Sequence, residues 1–464
     1  MSLWLLGGVA LASRPTDLSG LYAFESEDTV ESLDGEAGLV RVHYSVEGPN
    51  QVLQGDEDGD GLPDFAQDVA RSAEAVLAVF EAAGLRLPLN ESDMGLQALG
   101  GSDALDFYLV DFAGTGDGQL GVDTCQGGVC SGYMVMENDF TGYGYRDLDA
   151  AILTLTSHEL FHGVQYAYLD DLPGWMSEGT AMWAEYLYDP QSEDFIAWCG
   201  RYLSEPDRGL DLTPAGAFTG WEYGTGLFFG FLDAFLGPQT IVDLMEELSL
   251  VGGEQALSAL ETAILAQGSD LVEVWTTFAS WNLATGRRAG GFQGYPFAEE
   301  LEELEATAEA DSIVDDERVY PLASVYLYLS HPGGPLFLGS PDELGGLAVQ
   351  VMPSSGGVFE PVLEPLLTVF PDQAGVYELG EHEAGGLWVI FSQPAIADSS
   401  ISFDYCLGGD EVIESCGLSL DEGEPTGPDE PEGCGCAAVE PPGLAALLPA
   451  LFAFIGLRRA RRPA

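Results

Sequence analysis

The stretch "TLTSHELFHGVQYAY", Thr154 to Tyr168, holds two of the five histidines in this chain of 464 residues. Its periodicity predicts a helix. Residues i and i+4 of a helix lie one turn apart on the same face, so His158 and His162 can present their imidazoles to one metal ion. Glu159 lies beside them, where it can reach a metal-bound water. The stretch therefore predicts a zinc site, and two histidines satisfied by hydrogen bonds in the core are the alternative.

The third ligand has to come from outside this stretch, because a catalytic zinc ion takes three protein ligands and keeps one position for water. No histidine follows in "GVQYAYLDD". The segment "GWMSEGTAMWAEYLYD", residues 174–189, predicts a second helix that returns past the first one. Glu178 near its start is the expected ligand. Asp170 and Asp171 in the turn, and Glu185 further along the helix, are the alternatives.

An acidic loop, "QGDEDGDGLPDF" at residues 54–65, precedes the first long predicted helix. Alternating oxygen ligands around a glycine turn are typical of an EF-hand-type calcium loop. Gln67, followed by Asp68, takes the place of the usual bidentate glutamate, so we expect weaker binding or an unusual seventh ligand. The loop predicts a structural Ca²⁺ site within residues 56–68, and an acidic turn in a very acidic chain is the alternative. The expected ligands are Asp56, Asp58, Asp60, the carbonyl of Leu62, and Asp64.

The net charge of -63, with no lysine in the chain, excludes nucleic acid and anionic membranes as partners and suits metal cations. The apolar run that ends in Ala10-Leu11-Ala12 predicts a signal peptide over residues 1–12 and hence export. In an oxidising compartment, two cysteine pairs that flank short loops predict disulfides. These pairs are Cys125 with Cys130 and Cys406 with Cys416, and Cys199 is expected to be a buried thiol.

The order of the predicted elements indicates an α+β protein. Residues 13–317 combine a small upstream β-sheet with many helices, and the short Gly- and Pro-separated runs of residues 318–419 predict a β-sandwich. Residues 420–440 form an acidic linker rich in Pro and Gly. Residues 441–464 carry an apolar segment followed by four arginines, which predicts a contact with the membrane through this tail only.

The two zinc segments together, H-E-x-x-H followed by W-x-x-E-G-x-A, resemble the gluzincin metallopeptidases. The run "SGYMVMENDFTGYGYRDLDAAILTLTSHELFHGVQYAYLDDLPGWMSEGTAMWAEYLYD" is similar to a family of secreted metalloproteases found largely in myxobacteria. The resemblance covers residues 40–237 and the tail. It implies a zincin-like fold, His158, His162 and Glu178 as zinc ligands, and Glu159 as general base. In the tail it implies processing near Cys434 and Cys436 and attachment to the cell envelope.

The implied reaction is hydrolysis of a peptide or protein substrate by a water that zinc activates and Glu159 deprotonates. Tyr223, at a predicted helix start, is the candidate donor to the transition-state oxyanion, with a buried aromatic residue as the alternative. The predicted strand "SGYMVMENDF", residues 131–140, is expected to be the sheet edge on which substrate lies. The alternative is a surface adhesion or binding protein on a degenerate zinc-peptidase fold. The presence of Glu159 favours the peptidase, because a protein without turnover has no need of a general base. A monomer is the default state.

Overall fold

The computed structural model describes residues 13–18, 20, 22–212, 220–290, 294–304, 308–310, 313–330, 336–339, 344–355, 360–371, 375–377 and 386–407. Several sequence-based predictions lie outside these residues. They are the signal peptide, Cys416, the linker with Cys434 and Cys436, and the C-terminal tail.

The N-terminal part contains a mixed five-stranded sheet in the order β1-β2-β3-β5-β4. Strands β2, β3 and β5 run parallel, and the edge strands β1 and β4 are antiparallel to their neighbours. A two-residue turn joins β4 to β5 at Gly127 and Gly128, whose φ angles of 69° and 86° suit a type I′ hairpin. The strands are β1 (Val30–Asp34), β2 (Val40–Ser45), β3 (Leu105–Val110), β4 (Gly118–Gln126) and β5 (Val129–Glu137).

The expectation that residues 131–140 form the sheet edge is wrong. Residues 131–137 belong to β5, which pairs with β3 on one side and β4 on the other. The edge strand is β4, which the sequence analysis did not identify as a strand. Its two glycines, Gly118 and Gly121, weaken the strand pattern because glycine has no side chain to pack on a pleated surface.

Helices cover one face of this sheet, and the later helices continue the same hydrophobic core. Helices α1 and α2 pack against β2, β4 and β5, and apolar residues such as Val42, Phe107 and Met134 point into that interface. The described helices are α1 (Asp64–Ala83), α2 (Leu148–Tyr166), α3 (Gly174–Tyr188), α4 (Glu193–Leu203), α5 (Trp221–Gly224), α6 (Gly226–Leu236), α7 (Gln239–Val251), α8 (Ala256–Ala266) and α9 (Leu271–Leu283).

The opposite face of the sheet is covered by the N-terminal segment. Phe24 packs there with Tyr108, Tyr133 and Val135, the residues that alternate with the helix-facing ones. Arg14 is buried on the same face, with only 4% of its surface exposed. Residues just after the predicted signal peptide therefore complete the second face of the sheet.

The C-terminal part of the described chain consists of two antiparallel-rich sheets, in the orders β11-β10-β13-β8-β6 and β12-β9-β14-β7. Side chains of both sheets, Val349, Phe391 and Phe403 among them, share one hydrophobic cluster. The strands are β6 (Ala308–Ala310), β7 (Ile313–Val319), β8 (Ser324–Leu329), β9 (Leu336–Gly339), β10 (Ala348–Ser354), β11 (Leu367–Val369), β12 (Gly375–Tyr377), β13 (Gly386–Ser392) and β14 (Ile401–Leu407).

The larger of these two sheets packs its other face on α9. The Tyr326 hydroxyl donates to the carbonyl of Ala279 at 3.0 Å, and Gln350 Nε2 donates to Ser280 Oγ at 3.1 Å. Helices and sheets thus share one core, and the α+β class is confirmed. Among the described residues no single helix is long and apolar enough to cross a bilayer; only the pair Trp221–Leu236 and Gln239–Val251, bent by 118°, meets that requirement together.

The cysteine predictions that fall on described residues agree with the structure. Cys125 and Cys130 form a disulfide across the β4–β5 hairpin. Cys199 is a buried free thiol. Cys406 is disulfide-bonded, and its predicted partner Cys416 lies outside the described residues.

Candidate metal centre and cleft

Helix α2 carries the two histidines, and α3 returns antiparallel beside it. The side chain of Asp147 begins α2 by accepting a hydrogen bond from the backbone N–H of Ala150 at 2.8 Å, which satisfies a free donor of the first turn. The antiparallel order follows from the contacts, because His158 meets Glu185 late in α3 and His162 meets Glu178 early in it. The short turn between the helices permits this return.

Three side chains converge between the two helices. Nε2 of His158 lies 3.4 Å from Oε2 of Glu178, and Nε2 of His162 lies 3.6 Å from the same oxygen. That oxygen is buried and has no hydrogen-bond partner of good geometry among the described residues. Ligands about 2.0–2.1 Å from a tetrahedral zinc ion are separated by about 3.4 Å, so both distances match the separation of two ligands at such a site.

The other nitrogen of each imidazole is held by a second side chain. Nδ1 of His158 lies 3.0 Å from Oε1 of Glu185, and Nδ1 of His162 lies 2.9 Å from Oε1 of Gln165. The Gln165 amide in turn donates to Thr180 Oγ1 at 2.8 Å, so its oxygen faces the histidine. With the proton on Nδ1, each ring turns an unprotonated Nε2 toward Glu178, which is the tautomer that a metal ligand requires.

Glu185 should therefore control metal affinity without being a ligand. We expect Glu185→Gln to weaken zinc binding by about 10–100-fold, because an amide oxygen holds the His158 N–H less strongly than a carboxylate does. Competition with a chromophoric chelator measures the dissociation constant. Glu193→Gln, an exposed change near the start of the next helix, is the control and should bind zinc like the wild type. Equal affinity for Glu185→Gln and the control would contradict the orienting role.

Glu159 points into the cleft beside this cluster but does not belong to it. It is 8% exposed, and burial raises the pKa of its carboxyl against the opposing effect of the two imidazoles. Gly118, on the edge strand β4, lies so close that a Cβ atom there would be 3.1 Å from Cγ of Glu159. The glycine thus leaves room for the Glu159 side chain between α2 and the edge strand.

Tyr223 also lies at the cluster. Its ring stacks on His158 with centroids 5.7 Å apart and interplanar angle 11°, and its hydroxyl donates a hydrogen bond to Glu178. Close packing of α3 on the segment that carries Tyr223 fixes this position. A Cβ atom on Gly179 would lie 2.4 Å from Oγ1 of Thr225, so only glycine permits the approach.

A cleft of about 410 Å³ opens over these groups. It runs between the edge strand β4 on one side and helices α2 and α3 on the other. Its lining contains Glu159, Tyr223 and two of the three clustered residues, His162 and Glu178. The lining residues are Gly118, Gln119, Leu120, Glu159, His162, Gln165, Tyr166, Leu169, Asp170, Leu172, Ser177, Glu178 and Tyr223.

Asp194 gives the region a pH-dependent stability. Burial, and secondarily the negative charge of Glu185, raises the pKa of Asp194 to about 7. The folded state then keeps a proton that the unfolded state loses above about pH 4, so stability falls as pH rises from about 4 to 7. The stability of Asp194→Asn relative to the wild type should therefore rise by about 2–3 kcal/mol from pH 5 to pH 8. Thermal melts at both values test this. Glu193→Gln should follow the wild type, and parallel curves for all three proteins would contradict the assignment.

The acidic loop before α1 wraps its carboxylates around its own backbone. Oxygens of Asp56, Asp58 and Asp64 lie within 4.8 Å of one another. Asp56 Oδ2 accepts from the N–H of Gly61 at 3.1 Å, and Gln67 Nε2 donates to Asp60 Oδ2 at 2.8 Å. Gly59 and Gly61 have φ angles of 76° and 87°, which the sharp turn requires.

The structure brings together His158, Glu159, His162, Glu178 and Tyr223, all of which the sequence singled out. Of the alternative ligands, Glu185 contacts an imidazole nitrogen on the far side from Glu178, and Asp170 lies further along the cleft. The sequence analysis missed the role of Gln165, although its spacing of three residues from His162 on one helix face was a usable signal.

Comparison of the chain with protein-family models and with curated proteins finds no match. The geometry of the cluster and of the cleft is therefore what supports an assignment of function.

Proposed function

We propose that this protein is a zinc-dependent peptidase, with endopeptidase action as the expected form. The convergence of two imidazole Nε2 atoms and one buried carboxylate oxygen at 3.4 and 3.6 Å carries the proposal. His158, His162 and Glu178 would hold the ion. A zinc ion there supplies Lewis-acid polarisation of a carbonyl and a bound water with a pKa near 7.

The protein's own groups supply the rest of the reaction. Glu159 is the only carboxylate among the described cleft residues that lies beside the cluster without belonging to it, so it accepts the proton of the attacking water and passes it to the leaving amine. Tyr223 has its hydroxyl at the cluster, where it can donate to the oxygen that becomes negatively charged. Its stacking on His158 keeps the ring in place.

The edge strand β4 offers a place for an extended substrate. Its segment Gly118–Leu120 lines the cleft, and no described strand pairs with its outer edge. A peptide added there as a further strand would gain main-chain hydrogen bonds and lie across the cluster. The substrate edge of our proposal is thus β4, in place of the strand expected from the sequence.

Two finer features of the fold belong to this proposal. A helix with H-E-x-x-H beside the edge strand of a mixed sheet supports a zincin-like domain. Two sheets that share one apolar cluster support a β-sandwich after it. We further propose that the protein is exported to the cell surface, anchored through its tail or released after the tail is removed; the disulfide Cys125–Cys130 supports an oxidising compartment.

The proposed peptidase function is tested by measuring the zinc content of the protein and its cleavage of an unbiased peptide library. We expect about one zinc per chain by mass spectrometry, and cleavage of internal bonds in a proteome-derived peptide library. A zinc chelator should abolish cleavage and added zinc should restore it. A protein that carries a full complement of zinc but cleaves no library peptide would contradict the proposal and favour the adhesion alternative.

The acidic loop supports a second, structural ion, and we assign it to Ca²⁺. Its ligands would be Asp56, Asp58, Asp60 and Asp64, with the carbonyl of Leu62. Oxygen donors of this number suit a hard cation. The loop leads directly into α1, which covers the sheet, so the ion would hold the start of that helix.

Calcium should bind this loop and stabilise the fold. At a concentration 100 times the dissociation constant, we expect a gain of about 2.7 kcal/mol in the free energy of unfolding. Calorimetric titration of zinc-saturated protein measures the binding. Asp58→Ala, which removes a ligand oxygen, should abolish it, whereas Glu57→Ala, which removes a neighbouring charge outside the ligand set, should not. Identical isotherms for the two variants would contradict the site.

A further inference from the structure

The cleft extends beyond the candidate metal centre to a pocket at the end of α2. Tyr166 is the last residue of that helix, and Leu169, Asp170 and Leu172 follow in the turn toward α3. Tyr166 lies four residues after His162, on the same face of the helix, so this pocket continues the line of the site. Its walls are an aromatic ring and two leucines, with one carboxylate among them.

The β4–β5 hairpin lies beside Asp170 at this end of the cleft. A carboxylate oxygen of Asp170 and the sulfur atoms of Cys125 and Cys130 lie within 4.8 Å of one another. The disulfide ties β4 to β5 at this point, so the strand that borders the cleft is fixed beside Asp170. Asp170 itself lines the cleft and is solvent-exposed.

Three acidic residues of the described chain line the cleft, and Asp170 is the one to which the proposed mechanism gives no role. Glu178 belongs to the metal cluster and Glu159 lies beside it. Asp170 makes no hydrogen bond or ion pair with any residue that the structure describes, and the described cleft lining contains no arginine. A cationic group in the pocket would therefore meet a carboxylate without a competing partner.

We propose that this pocket receives a lysine or arginine side chain of the substrate and that Asp170 determines this specificity. The inference rests on the proposed peptidase function. Leu169, Leu172 and the ring of Tyr166 would contact the aliphatic stem, and the carboxylate would pair with the charged end. Long basic side chains are the residues that combine both parts.

The specificity proposed for Asp170 differs from the general attraction of basic peptides to a chain with net charge -63, because it acts at one position of the substrate. Overall charge raises the encounter rate of any basic peptide and is screened by salt. A local contact with Asp170 instead favours a basic residue at one fixed distance from the cleaved bond. Asp171 provides a matched control, because it carries the same charge one residue away and does not line the cleft.

The experiment compares wild type, Asp170→Asn, Asp171→Asn and Asp170→Arg on one peptide scaffold. Library digestion first identifies the position enriched in basic residues, and lysine, norleucine or glutamate is then placed there. We expect Asp170→Asn to lower kcat/KM for the lysine peptide by about three- to tenfold and to leave the norleucine peptide unchanged. Asp170→Arg should reverse the preference toward glutamate. Asp171→Asn should match the wild type.

A binding measurement separates recognition from turnover. In a Glu159→Gln background, the dissociation constant of the lysine peptide by fluorescence anisotropy should rise by a similar factor with Asp170→Asn. Cleavage with no enrichment of basic residues at any position, or equal values for Asp170→Asn and wild type, would overturn this inference and leave the peptidase function standing. Absence of all cleavage would overturn both.

Discussion

Replacing Glu159 by glutamine should lower kcat about 10²–10⁴-fold, the range that a general base contributes. The amide has almost the same shape as the carboxylate but cannot accept a proton. Glu159 is not one of the three clustered residues, so zinc binding should persist at wild-type stoichiometry. Peptide hydrolysis and zinc content, measured on the same preparation, test both halves of this expectation.

Two comparisons make that result specific. Asp149→Asn makes the same chemical change on an exposed residue of α2 outside the cleft, and its kcat should equal that of the wild type. Gly118→Val should displace Glu159, because even a Cβ atom added at Gly118 would lie 3.1 Å from Cγ of Glu159. This variant should therefore lower kcat without loss of zinc. A Glu159→Gln protein that keeps more than a tenth of wild-type kcat would show that another group is the base.

Replacing Arg14 by alanine should destabilise the fold by about 3–5 kcal/mol, the cost of removing one partner from a buried ion pair. Its guanidinium donates to Asp123 Oδ1 at 2.9 Å and to Glu91 Oε1 at 2.6 Å, and it also pairs with Asp106. All three acids are at most 4% exposed. Burial lowers the pKa of Arg14, but its hydrogen bond with Asp123 and the surrounding charges outweigh this and raise it.

Chemical denaturation at fixed pH measures this effect. Arg14→Lys should be intermediate, because an ammonium keeps the charge but loses the planar fork that serves several carboxylates. Arg41→Ala is the control, since Arg41 pairs with a half-exposed Asp34 on the same sheet and should cost about 0–1 kcal/mol. A loss from Arg14→Ala no larger than that of the control would show that the buried acids find other partners.

The Arg14 cluster also bears on the predicted signal peptide. Cleavage after Ala12 would keep Arg14 in the mature protein, whereas cleavage two or more residues further on would remove it. We therefore expect the sheet to tolerate only the earlier position. This cluster could not be predicted from local sequence patterns, because the residues that pair with Arg14 lie 77 to 109 positions away along the chain.

Local sequence patterns were enough to predict the two helices that carry the clustered side chains. Helical periodicity placed His158 and His162 one turn apart, and the second helix with Glu178 began close to where it was expected. The sequence could not compare the position of Glu178 with those of its three alternatives, Asp170, Asp171 and Glu185; only the tertiary structure does. Glu178 lies against both Nε2 atoms, while Glu185 holds Nδ1 of His158 from behind.

The order of strands in a sheet depends on contacts between distant segments, and the edge strand predicted from the sequence was wrong. The strand predicted at residues 131–140 was expected to be an edge from chain order alone, because it comes shortly before the histidine helix. It is interior because β3 and β4 both pair with it. The glycine-rich β4, which has little strand propensity of its own, owes its place to hairpin pairing with β5 and to the disulfide.

By itself, the sequence determined which side chains are available and which of them share a helix face, because the helical repeat is local and follows from spacing alone. Tertiary structure alone decided that β4 borders the cleft, that Glu185 orients a histidine, and that Arg14 pairs with three buried acids. Such contacts join residues far apart in the chain, and their positions depend on how whole faces of the sheet and helices pack.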